Sequence, residues 1–206
     1  MNPRNYRNEM DALIASLGER RPRLLLHSCC GPCSTACLEL LTPHFAVTVY
    51  FYNPNILPEE EFFRRLDTQK QVLDTAPFAK GVDLIVPDRD ESAFWAAARG
   101  LENAPEGGAR CTECFRLRLD RTARAARELG FDYFATTLTV SPHKNAPLIN
   151  AIGEELGAQH GVLWLPTDFK KKEGYKRSTV LSRELGLYRQ DWCGCGLPKS
   201  EAPHGD

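Results

Sequence analysis

The sequence predicts an α/β fold: a single domain over residues 1–206 with a mainly parallel sheet flanked by helices. Two observations predict it. Short apolar, β-branched runs alternate with longer helical patterns, and no repeat or low-complexity linker divides the chain. A length of 206 residues suits one core.

Residues 1–22 are polar and charged and read as an N-terminal helical extension. "RLLLH" (23–27) is a short buried strand, and 33–42 a helix. "FAVTVYFYN" (45–53) is the clearest strand, rich in β-branched and aromatic residues. A long helix follows Pro58 and three glutamates, which mark a helix start. "VDLIVP" (82–87) is a third strand, "ESAFWAAARG" a helix, and the Gly/Pro loop "ENAPEGGAR" leads to a helix from about Thr112 to Leu129. Then come a strand at 131–137, a helix at 145–157, the strand "GVLWLP", a helix at 173–186 and an expected flexible tail at 198–206. Right-handed crossovers put every strand-to-helix loop on one edge of such a sheet. The loops Ser28–Pro32, Asn53–Pro58, Thr137–Lys144 and Thr167–Lys172 should therefore converge.

Hydrophobic residues make up 42% and charged residues 26%, with 26 basic against 27 acidic side chains, which excludes a bulk polycation. No apolar run approaches the roughly 20 residues of a membrane span, and the N-terminal segment lacks the apolar stretch of a signal peptide. A cytoplasmic protein without a membrane partner is expected. In that reducing compartment, eight cysteines read as metal ligands or redox groups rather than a static disulfide framework.

They fall into three groups: 29/30/33/37, 111/114 and 193/195. Cys111 and Cys114 form C-x-x-C at a helix N-terminus, whose positive end favours the thiolate. Adjacent Cys29 and Cys30 suit a cluster, where neighbours bind different irons, better than one small tetrahedral ion, although zinc stays open. Cys37, one turn beyond Cys33, reads as core. A disulfide across Cys193-Gly194-Cys195 would close a small, strained, easily reduced ring; two further metal ligands is the rival reading.

"LLLHSCCGPCS", "VYFYNPNILPEEEFFRR", "RCTECFRLRLDRTA", "TTLTVSPHKN" and "FKKKEGYKRSTVLSRELGLYRQDWCGC" resemble, in order, the motifs of the QueH family of epoxyqueuosine reductases. The resemblance implies a Rossmann-like fold, similar to the nucleotide-binding folds of tRNA-modifying ATP pyrophosphatases. It also implies two-electron reduction of epoxyqueuosine to queuosine at the wobble position of tRNA. It maps a 4Fe-4S cluster onto Cys29, Cys30, Cys111 and Cys114 and a redox-active pair onto Cys193 and Cys195. An additional mononuclear iron is implied beside the cluster, with Cys33 as candidate contributor. The partners implied are tRNA bearing epoxyqueuosine and an unidentified electron donor.

His27, His143, Tyr188 and Asp191 flank these motifs and are candidate proton donors. Lys170, Lys171, Lys172, Lys176 and Arg177, with the arc Arg116, Arg121, Arg124 and Arg127, are candidate phosphate contacts. Tyr52, Tyr175 and Trp192 are candidate platforms for a flipped base, Tyr52 first among them. The competing readings are a non-enzymatic zinc-binding RNA module and a thiol–disulfide oxidoreductase using C-G-C alone.

Overall fold

Strand and helix alternate along the chain in a computed structural model that describes residues 4–197. The elements are α1 (Tyr6–Leu17), β1 (Arg23–His27), α2 (Gly31–Leu41), β2 (Ala46–Tyr50), α3 (Glu59–Thr75), β3 (Asp83–Ile85), α4 (Glu91–Ala98), α5 (Ala109–Glu128), β4 (Tyr133–Thr136), α6 (Ala146–His160), β5 (Leu163–Trp164) and α7 (Gly174–Glu184). Short 3₁₀ turns occupy Pro77–Ala79 and Thr137–Val140. The expected flexible tail at 198–206 lies outside the described residues.

All five strands are parallel, in the order β3-β2-β1-β4-β5. The chain builds outward from β1 through β2 to β3, then returns to the other side of β1 for β4 and β5. Between β1 and β4 the loops leave in opposite directions, opening a crevice at the carboxyl ends of the strands. β1 is the centre of the sheet, and its alternating side chains feed both layers. Leu24 and Leu26 pack with Met10, Leu38, Val47 and Val49 on one face. Leu25 packs with Phe115, Leu119, Phe134 and Ile149 on the other. Cover on both faces is why "LLL" is a continuous apolar run.

Three boundaries differ from the sequence expectation in ways that matter. β2 ends at Tyr50 rather than residue 53, because only Phe51 N–H, donating to Ile85 O at 2.9 Å, finds a partner on β3 beyond it. α2 and α5 begin at Gly31 and Ala109, a few residues earlier than their apolar periodicity indicates. Cys33 and Cys111 therefore sit in first turns. The 3₁₀ turn at Thr137–Val140 prolongs the path of β4 toward the crevice.

Gly31 shows how tightly the first of these helix starts is seated. A Cβ there would lie 2.5 Å from Thr68 O of α3. Backbone cannot yield as a flexible side chain does, so only glycine lets α2 start this close to α3. Gly31→Ala should destabilise the protein by about 1–3 kcal/mol, read by thermal unfolding. An unchanged melting temperature would show that the contact is relieved at little cost.

Candidate active site

The turn after β1 is held on every side. His27 is fully buried; its Nε2 donates to Tyr52 O (3.1 Å), and its Nδ1 accepts from the Thr136 hydroxyl (2.8 Å). Burial pushes the imidazole down to about 3, so it stays neutral and serves as a strut. Ser28 N–H donates to Tyr50 O (3.0 Å), its hydroxyl donates to Gln69 Oε1 (2.7 Å), and its carbonyl accepts from Asn53 Nδ2 (2.8 Å). These bonds from β2, β4, α3 and the loop after β2 leave the next residues one path.

That path brings three thiols together. The Sγ atoms of Cys29, Cys30 and Cys33 lie within 4.8 Å of one another, with Cys29 and Cys30 3.9 Å apart. Metal–sulfur bonds of about 2.3 Å in a tetrahedral arrangement separate ligand sulfurs by roughly 4 Å, so the donor set fits a thiophilic metal centre. The Cys30 and Cys33 thiols hydrogen-bond to Cys29 and, with Arg118 and despite burial, pull its thiol well below the ordinary range. Burial raises Cys30, to about 12. Cys37 is fully buried in the core, its thiol against Cys33 O at 3.3 Å.

α5 brings the second group. Gly107 N–H donates to Cys111 Sγ at 3.2 Å. Cys114 packs with Cys195, Leu57, Phe94 and Leu197 in a small apolar cluster, and burial raises its thiol. Cys193 Sγ lies 4.0 Å from Lys144 Nζ. The bond from Cys195 holds Cys193 well below the usual thiol range and Cys195 above it. A cavity of about 580 Å³ opens onto Cys29, Cys33, Arg118, His143, Lys144, Tyr175, Arg189, Asp191, Trp192 and Cys193. A smaller one of about 280 Å³ runs between Cys111 and the turn 192–197.

Residues 24–201 match the family model described as Epoxyqueuosine reductase QueH. The chain belongs to that family. It is 44% identical over 203 residues to the Epoxyqueuosine reductase QueH of Streptococcus pyogenes serotype M1, covering 95% of this chain and 79% of that protein. The proteins of that name from Staphylococcus epidermidis and Thermotoga maritima are 45% and 37% identical. Those alignments cover 85% and 84% of this chain and 75% and 88% of the relatives.

Against the sequence reading, the structure adds Cys33 to the Cys29–Cys30 pair and sets Cys193, His143, Asp191, Tyr175 and Trp192 along one cavity. Tyr52 is placed elsewhere. It is buried in the core beside Tyr50 and lines neither cavity, because β2 ends early and the chain turns inward. The basic stretch is largely neutralised. Lys170 pairs with Asp168 (3.0 Å), Lys172 with Asp11 (2.7 Å), Lys176 with Glu173 (2.9 Å) and Arg177 with Glu39 (2.6 Å), while Lys171 is exposed. On α5, Arg116 pairs with Glu155 and Arg124 with Asp120.

Three site residues escaped the sequence reading: Arg118, Lys144 and Arg65. Arg118 had a signal, since Cys111, Cys114 and Arg118 follow at i, i+3 and i+7 on one helix face. Arg65 comes from α3, which carries no cysteine. It is buried, accepts Glu61 as an ion-pair partner at 2.6 Å, and donates to Cys193 O (2.9 Å) and Trp192 O (3.3 Å). Tyr188 O–H donates to the same Glu61 carboxylate at 3.1 Å. Leu57 N–H donates to Gly194 O at 2.7 Å. Gly194, at φ +103°, occupies the left-handed region, and a Cβ there would meet Arg65 Nη1 at 3.0 Å. Arg65→Met, which strands the buried Glu61 carboxylate, should cost about 3 kcal/mol. It should also speed amide hydrogen exchange across residues 192–196. Unchanged exchange there would show that the turn is held by other contacts.

Proposed function

We propose that this chain reduces epoxyqueuosine to queuosine at the wobble position of tRNA in the cytoplasm. The reaction consumes two electrons and two protons and releases the epoxide oxygen as water. Family membership supports the reaction, and one observation supports its location. The three-thiol group at the carboxyl end of the central strand faces, through Cys29 and Cys33, a cavity that Cys193 also lines. No helix among the described residues is long and apolar enough to cross a membrane.

The proposed cofactor is a 4Fe-4S cluster on Cys29, Cys30, Cys111 and Cys114, with Cys33 available to an additional iron. Such a centre supplies single electrons and a Lewis acid for the epoxide oxygen. The residues of the chain do the rest. Cys193 and Cys195, as a dithiol, hold two reducing equivalents and return to that state through an external electron donor. His143 and Asp191, both exposed on the cavity wall, are the proposed proton donors. Tyr175 and Trp192 provide the aromatic surface for the flipped base, and Arg189, 5.3 Å from the Tyr175 ring centroid, places a cation beside it. Lys171 and its neighbours in the basic stretch are proposed to meet anticodon-stem phosphates. Docking there would exchange their carboxylate partners for phosphate.

Metal analysis and turnover test this assignment. Anaerobically purified Cys30→Ala and Cys111→Ala proteins should each lose the visible iron–sulfur absorption and all reduction of epoxyqueuosine-containing tRNA. Retention of iron, sulfide and turnover in either one would remove that cysteine from the ligand set. Cys195→Ser should keep its iron but stop after a single turnover. Sustained turnover by that variant would leave the C-G-C turn without a redox part.

A further inference from the structure

Among the cysteine groups sits a positive charge that no carboxylate answers. Arg118 is 2% exposed, and its Nε donates to Cys114 O at 3.2 Å. Among the described residues its Nη2 has no hydrogen-bond partner, and no carboxylate lies within ion-pair distance. The contrast with Arg65, equally buried and paired at 2.6 Å with Glu61, is direct. Lys144 stands nearby: its Nζ is 5.6 Å from the Phe115 ring centroid, and the Arg118 Cζ is 5.8 Å from the same point. Both cations line the larger cavity with Cys29 and Cys193.

Burying an unpaired cation is unfavourable, and a second beside it adds repulsion. Guanidinium does not escape by losing its proton. The carboxylates that share its cavity, Glu106 and Asp191, form no ion pair with Arg118, so the compensating negative charge falls to the sulfurs of Cys29, Cys33 and Cys193 on the same walls and of Cys114 on its own helix. Burial pulls the guanidinium down, and the Cys114, Cys193, Cys29 and Cys111 sulfurs more than offset that pull. The bond to Cys114 O keeps the charge in place, so it does not swing away to solvent.

We infer that Arg118, assisted by Lys144, is the fixed counter-cation of the cysteine centre, there to favour the state that carries one more electron. This rests on the iron–sulfur reading of the site. Arg118 is thereby a positioning residue for charge, acting through the centre. A metal–thiolate centre gains a negative charge on reduction, and a permanent cation within its walls stabilises that state over the oxidised one.

The test compares the wild type with Arg118→Met, Arg118→Lys and Lys144→Met, each purified anaerobically and reconstituted with iron and sulfide. Iron content and an EPR-monitored redox titration are the readouts. Arg118→Met should bind wild-type iron, yet at the wild-type midpoint its reduced-to-oxidised ratio should fall at least about tenfold, equivalent to about 59 mV for one electron. Arg118→Lys should restore most of the shift, and Lys144→Met should move the same way by less, because Lys144 is only half-buried. An Arg118→Met protein with wild-type iron and a wild-type midpoint overturns the inference. Should that variant fail to fold, Lys144→Met decides it, an unchanged midpoint counting against. If the wild type itself takes up no iron, the cluster reading fails separately. The counter-charge is then measured on metal-free protein, where iodoacetamide should alkylate Cys29 about tenfold more slowly in Arg118→Met than in the wild type. Equal rates overturn it.

Discussion

The site depends on one constraint: the backbone of residues 27–31 is buried at the end of the central strand, and its polar groups must be satisfied there. His27 and Ser28 meet that demand with partners from Thr136, Tyr50, Tyr52, Asn53 and Gln69. A turn tied down from four directions has little freedom left. Gly31, pressed against Thr68 of α3, removes what remains. Two consecutive cysteines and a third one helical turn on are thereby delivered with their sulfurs together, which isolated residues in a flexible loop would not achieve without an entropic cost.

Charge is organised around that turn in a way that the bulk composition hides. The chain is almost neutral at −1, and its most conspicuous basic stretch is interleaved with acids drawn from α1, α2 and its own neighbours. Inside, Arg118 has no carboxylate in an ion pair among the described residues and shares a cavity with Lys144 and the thiols of Cys29, Cys33 and Cys193, where the effective dielectric is low. A surface lysine paired with an acid contributes little to stability. A buried arginine without one shapes whatever shares its cavity.

The C-G-C turn has no regular structure of its own, yet it forms a wall of both cavities. α3 makes this possible. Glu61, Arg65 and the neighbouring Leu57 amide grip the carbonyls of Trp192, Cys193 and Gly194 and the hydroxyl of Tyr188. Holding carbonyls fixes the turn through its backbone, so its two sulfurs keep their own contacts, Cys193 with Lys144 and Cys195 with the Cys114 cluster.

The α/β alternation, the strand and helix order and the grouping of cysteines at strand-to-helix loops were legible in the sequence. They follow from local periodicity, from glycine and proline punctuation and from the handedness of parallel crossovers, none of which needs distant contacts. The five family motifs were legible for the same reason, as short runs of side-chain types. What only the tertiary structure decided is which groups meet. Cys33 joins Cys29 and Cys30 because α2 starts at Gly31, a boundary set by packing on α3. Tyr52 turns into the core because β3 offers β2 no partner beyond Phe51. Lys172 and Arg177 find Asp11 and Glu39, more than a hundred residues away in the chain. Arg118 looked like one more arginine on a charged helix; the fold buried it among sulfurs. A sequence states the charge of a side chain, but its partners and its dielectric surroundings come into being only when distant segments pack.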